Sequence, residues 1–147
     1  MPQIYDKKNF RSREALGGLV GRTRKLMLDQ LEQELAPFDI SAAQSIVIIM
    51  LSECIASTAA EVCKTLSHDP GAMTRLLDKL ESKGVVRRVR INGDRRKVRL
   101  ELTQKGKALY PKIVDAQVNV FNRLLRGFTR AEAVQLEGML VRLLENA

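Results

Sequence analysis

Tryptophan is absent from this sequence, and aromatic residues of all kinds make up 4% of it. So few flat side chains leave little to stack on unpaired bases, which counts against recognition of single-stranded RNA. Histidine occurs once, at His68, which restricts triad chemistry. No Walker loop, G-x-S-x-G or H-E-x-x-H pattern is present, so the chain is not expected to be an enzyme. The two cysteines, Cys54 and Cys63, are too few for a disulfide scaffold. With His68 they lack the spacing of a ligand set, so packing is expected of the cysteines, a helix boundary of His68, and neither metal nor cofactor. The run "SIVIIMLSECIA" is too short to span a bilayer, and the opening "MPQIYDKKNFRSRE" has no apolar signal core. The expectation is a cytoplasmic protein with no membrane partner.

Acidic residues are scarce over one stretch. Between Lys64 and Lys112 there are 14 Lys and Arg against 5 Asp and Glu, an excess of nine, while the rest of the 147 residues hold 11 against 12. The formal net charge of +8 therefore sits in one block. A clustered positive charge points to a polyanionic partner, where an even spread would speak only of solubility. The hydrophobic fraction of 45% is ordinary for a globular protein, and the length suits one domain extended by helices.

What is there reads as helices interrupted by one hairpin. Leu16, Val20, Met27, Leu31 and Leu35 fall on one helical face, although Gly17, Gly18 and Gly21 weaken its first turns, and Pro37 ends it. In "DISAAQSIVIIMLSE", Ser41 with Gln44 forms a capping-box start for a run whose apolar residues cover more than one face, as in a buried central helix. Thr58 with Glu61 repeats the device. In "HDPGAMTRLLDKLESKG", Asp69 is the candidate N-cap, Pro70 takes the first helical position, and Gly84 supplies the stop. Met73, Leu76, Leu77 and Leu80 form its inner stripe. The period then changes to two, with Val85, Val89 and Ile91 before the polar "NGDRRK" and Val98, Leu100 and Leu102 after it. Two C-terminal helices follow. Pro111 is expected to kink the first or reset its start, and Thr129 with Glu132 caps the second.

A helix that enters a major groove shows small, polar or cationic residues outward and anchors itself inward. The inner stripe leaves Gly71, Ala72, Thr74, Arg75, Asp78 and Lys79 on the other faces. Gly71 and Ala72 permit close approach, and free N–H groups at this helix start favour phosphate. Arg75 is long enough to fork onto guanine O6 and N7. Residues 85–99 hold Arg87, Arg88, Arg90, Arg95, Arg96, Lys97 and Arg99 against a single acid, Asp94. Such cations repel one another unless an anion neutralises them. Asp94 can hold a neighbouring guanidinium extended, which limits the rotamer entropy lost when an arginine enters a narrow groove.

"DISAAQSIVIIMLSE", "TAAEVCKTL", "GAMTRLLDKLESKGVVRR" and "GDRRKVRLELTQKG", between long terminal helices, resemble a MarR-family transcriptional regulator. The resemblance covers nearly the whole chain. It implies a fold that is mainly α with a small β-hairpin wing: a winged helix-turn-helix lobe at 40–103, flanked by dimerisation helices at 11–37 and 104–147. It further implies a sequence-specific regulator of double-stranded DNA, a repressor by expectation, that acts as a homodimer on an inverted-repeat operator. The base-contacting positions then fall on Thr74 and Arg75 with Ala72 nearby, alongside Gly71 and Lys79 on the same helix. The wing positions are Asp94, Arg95, Arg96 and Lys97, with Arg96 the first choice for the groove and Arg95 the second. Leu16, Leu136, Leu140, Leu143 and Leu144 are the candidate dimerisation residues. The family also implies release by a small aromatic or phenolic acid, for which Val20, Arg22, Arg24, Met27, Ile46 and Met50 form a candidate pocket. The alternative is a winged-helix protein-interaction module without specific DNA readout.

Overall fold

The computed structural model describes residues 3–66, 69–91 and 98–147. In chain order these form α1 (Leu16–Leu35), a 3-10 turn (Ala36–Phe38), α2 (Ala42–Ser52), α3 (Ala59–Leu66), α4 (Pro70–Ser82), β1 (Val86–Arg90), β2 (Val98–Leu102), α5 (Gln104–Leu124) and α6 (Arg130–Glu145). The fold is thus mainly helical with one two-stranded antiparallel hairpin. Among the described residues no single helix is long and apolar enough to cross a membrane.

The polar caps start the helices. Ser41 Oγ accepts from the Gln44 amide while Gln44 Oε1 accepts from the Ser41 amide, closing a reciprocal box at the head of α2. Thr58 with Glu61 and Thr129 with Glu132 make the same exchange at α3 and α6. Central α2 buries Ala42, Gln44, Ser45, Val47, Ile48 and Met50, more than one face of a helix, because α1, α4, α5 and β2 all pack around it. Leu31 and Leu35 of α1, Leu77 and Leu80 of α4, and Ile113 and Val120 of α5 complete the core.

The structure corrects four details. The first helix begins at Leu16, since residues 11–15 turn instead, and only its second half reaches the core: Leu16 and Val20 are exposed, Leu31 and Leu35 buried. Pro111 does not reset the helix start, for α5 runs from Gln104 through it to Leu124. Cys54 does not pack. It is exposed in the turn after α2 with φ 56°, whereas Cys63 is partly buried against the core.

The hairpin phase is the fourth. Val86 pairs with Leu102, Arg88 with Leu100 and Arg90 with Val98, so Val89 lies on the opposite face, with Arg87, Arg99 and Glu101. Val85 is buried but belongs to the turn. Gly84 is left-handed (φ 70°), and the Val85 amide bonds back to the Leu80 carbonyl as the helix stops. The Val85 carbonyl accepts the Thr103 amide, so the root of the hairpin meets the start of α5.

That meeting is tight. Thr103 caps α5 through the Gly106 amide and donates its hydroxyl to the Gly84 carbonyl at 2.6 Å. Lys105 Nζ donates to the Lys83 carbonyl at 2.8 Å. A Cβ on Gly106 would collide with the Val85 carbonyl oxygen, so only glycine lets the helix approach so closely. On the other side, Lys83 Nζ donates to the Asp39 carbonyl at 2.6 Å and to buried Gln44 at 3.2 Å. The end of α4 is held from two directions.

Candidate nucleic-acid interface

Helix α4 stands at the surface because its apolar residues recur on one face. Met73, Leu77 and Leu80 are buried, while Gly71, Thr74, Arg75, Asp78 and Lys79 are exposed and Ala72 is half-buried. Arg75 and Lys79 are one turn apart, form no ion pair among the described residues, and line a shallow cleft with Ala72, Lys83 and Gln44. The Arg75 guanidinium folds back toward Gly71. Thr74 donates its hydroxyl to the Pro70 carbonyl at 2.9 Å, leaving its oxygen free to accept and its methyl group outward.

The start of α4 differs from expectation. Asp69 accepts from the Gly71 amide at 2.9 Å and from the Ala72 amide at 3.2 Å. A carboxylate already occupies the positive end of this helix, so those amides are not free to take a phosphate. Asp69 is a good cap and a poor phosphate seat.

The hairpin cations are also less available than a count suggests. Glu101 accepts from Arg87 at 2.8 Å and from Arg99 at 2.5 Å, and these contacts, Arg87 first, hold its carboxyl below the usual value. Arg88 reaches Asp78 at 2.7 Å and Glu81 at 2.5 Å. Arg90 has no ion pair among the described residues. Charge within residues 85–99 looked uncompensated because the acids that meet it, Asp78, Glu81 and Glu101, lie outside that window. Only the cross-strand register and the fold bring them in. The expected wing residues Asp94, Arg95, Arg96 and Lys97, like His68, lie outside the described residues.

A helix whose Arg75 and Lys79 form no ion pair among the described residues and a basic hairpin beside it therefore make one surface over the core. A sequence model of the MarR family matches residues 40–98, the stretch that builds it. The multiple antibiotic resistance protein MarR of Escherichia coli (strain K12) is 33% identical over 130 residues, covering 88% of this chain and 90% of that protein. The chain belongs to the MarR family.

Other MarR-family comparisons agree. The HTH-type transcriptional regulator PecS of Dickeya dadantii is 29% identical over 128 residues, covering 85% of this chain and 77% of PecS. The crystal structure of a mutant E. coli MarR complexed with operator DNA superposes with a TM-score of 0.77 at 34% identity, covering 88% of this chain and 93% of that one.

In this MarR-family protein the terminal helices leave much apolar surface uncovered. Leu16, Leu136, Leu140, Leu143 and Leu144 are all exposed, and α6 buries none of its residues. The candidate effector residues are only partly brought together. Arg24 and Ile46 line one cleft of about 440 Å³ with Leu28, Asp29, Glu32 and Leu66. Val20 and Arg22 sit exposed on the first half of α1, Met27 is partly buried, and Met50 is in the core. Asp29 and Glu32 place two carboxylates beside Arg24, a setting that opposes an acidic ligand. Sequence periodicity put apolar and basic residues on two helices, but it could not show which helix faces meet.

Proposed function

We propose that this protein is a transcriptional regulator, a repressor by its expected direction, that binds double-stranded operator DNA as a homodimer. Each subunit places α4 in the major groove, where Thr74 and Arg75 read bases with Ala72 and Gly71 close by and Lys79 anchors phosphate. The hairpin tip, with Arg96 foremost, enters the adjacent minor groove. The carrying observation is Arg75 and Lys79, without an ion pair among the described residues, on the open face of a helix whose other face is core. The operator complex of the E. coli relative, at 34% identity, supports the same use of the fold. The uncovered leucines of α1 and α6 support dimerisation, because apolar surface of that extent is normally buried against a partner.

Selection of bound fragments from random duplex DNA, followed by footprinting across a salt series, tests this reading. The expected site is an inverted repeat with half-site centres about 10 bp apart. Affinity should fall with a log–log slope of about −0.9 per phosphate contact. A protein that enriches no sequence and leaves no footprint is instead a protein-interaction module.

A further inference from the structure

Asp78 and Glu81 are one turn apart on the exposed side of α4, beside the residues that would meet DNA. Acids in that position oppose phosphate, so their presence needs a reason. Both carboxylates are turned onto one guanidinium. Arg88 Nη2 donates to Asp78 Oδ1 at 2.7 Å, and Nη1 donates to Glu81 Oε2 at 2.5 Å. The strand register explains how Arg88 gets there. It sits opposite Leu100, two residues beyond Val86, on the face of the hairpin that turns toward the core.

Among the described residues these are the only ion pairs between α4 and the hairpin. Elsewhere the two elements are joined by the turn at Gly84 and by burial of Val85 and Val86 at the root. The β2 side of the hairpin is held by the Leu100 amide, which donates to the Ser57 carbonyl at 2.8 Å, and by burial of Leu100 and Leu102, but the turn alone leaves the outer part of β1 soft against α4. A planar guanidinium gripped at both ends by separate carboxylates is a stiff cross-brace, since each N–H···O bond has a preferred direction. Asp78 first, and Glu81 with it, raise the Arg88 pKa above its ordinary value against partial desolvation, so the brace stays charged.

We propose that Arg88 is a positioning residue, braced between Asp78 and Glu81, that sets the tilt of the hairpin relative to α4 and does not itself touch DNA. It thereby fixes the separation between the base-reading side chains of α4 and the paired strands Val86–Arg90 and Val98–Leu102. The inference rests on the DNA-binding reading above, and it assigns two acids and an arginine that the reading leaves without a role.

The test measures affinity for the selected operator with A·T-rich and with G·C-rich flanks, across a salt series. Wild type, Arg88→Ala, Arg88→Lys, the double variant Asp78→Asn with Glu81→Gln, and the triple combination with Arg88→Ala are compared. Arg88→Ala should bring the flank preference toward one, with the salt slope and the Arg75-dependent base preference unchanged. The double variant removes two negative charges from a DNA-facing helix, yet it should lose the same flank preference. The triple should be no worse than either. Arg88→Lys should recover part of the preference, because one ammonium cannot grip both acids at fixed angles. Two results overturn the proposal: a slope shallower by about 0.9 per subunit in Arg88→Ala with flank preference intact, which marks a direct phosphate contact; or a double variant that binds more tightly and still discriminates flanks. A wild-type protein with no operator, or with an operator but no flank preference, defeats the parent reading instead. Melting curves confirm that each variant is folded.

Discussion

Arg75 carries the sharpest expectation at the scale of single residues. It is exposed and forms no ion pair among the described residues, so Arg75→Ala should leave folding intact. A lost bidentate guanine contact should weaken operator binding by about 1–3 kcal/mol and relax specificity at one position per half-site. Competition binding against single-base operator variants checks this. Equal losses on every sequence would mean that the side chain anchors phosphate. Leu80 is the opposite case, fully buried where α4 meets the core. Leu80→Ala should cost about 2–5 kcal/mol in urea unfolding. The positions of both residues were legible from the 3.6-residue period of "MTRLLDKL". The pairing of Arg88 was not, because its partners lie on another element and depend on strand register. Composition can count charges in a window, but it cannot tell which are already neutralised across a fold.

Elements begin where the caps say they do, and for a local reason. A box needs two side chains three residues apart, so Ser41–Gln44, Thr58–Glu61 and Thr129–Glu132 could be read from spacing. The hairpin phase could not be read that way. "GVVRRVR" offers valines of both parities, and the turn hydrogen bond from the Val85 amide to the Leu80 carbonyl decides which one enters the strand. The caps also set an acid limit. Bonds from the Ser57 backbone lower the Glu61 pKa, and bonds from the Thr129 backbone lower that of Glu132. Unfolded, each carboxyl titrates at the ordinary glutamate value of 4.5. Below that pH the unfolded chain takes up protons before the folded one does, so stability falls as pH drops through the lowered folded values. The caps' contribution to the urea midpoint should therefore be lost progressively as pH falls toward and below 4.5. In Glu61→Gln that decline should be smaller, and an unchanged acid limb would remove the caps from the account. Gly106→Ala should cost about 1–3 kcal/mol or more by the same assay, because backbone rather than a movable side chain blocks the added methyl.

At the scale of the whole molecule, α6 is an element without a core of its own. Since it buries none of its residues in the protomer, a chain ending at Arg126 should keep nearly the same melting temperature and the same fold by circular dichroism. It should nevertheless sediment as a monomer and lose operator affinity, because two reading heads need a fixed spacing. A truncated chain that sediments as a dimer would reassign the interface to other surfaces. The amphipathic pattern of the terminal helices made them visible in the sequence. Their lack of intramolecular cover did not, since an apolar stripe looks the same whether it meets its own core or another chain.

Helix α5 joins these scales. Its first turn is bolted to residues 83–85 through Thr103, Lys105 and Gly106, and it runs 21 residues through Pro111 to Leu124. At about 1.5 Å per residue it is roughly 30 Å long. Pro111 has no N–H for the Lys107 carbonyl, one turn and a half from the bolted end. Such a rod is a lever with its weak point near the load. Tilting it by roughly 6–7° about its far end carries residues 83–85 through about 3.4 Å, the rise of one base pair. With Leu109, Ile113 and Val120 of α5 packed in the core, the lobe would have to turn with the rod as one body, and so small a rotation would move the reading surface a full step along the duplex, out of register with its site.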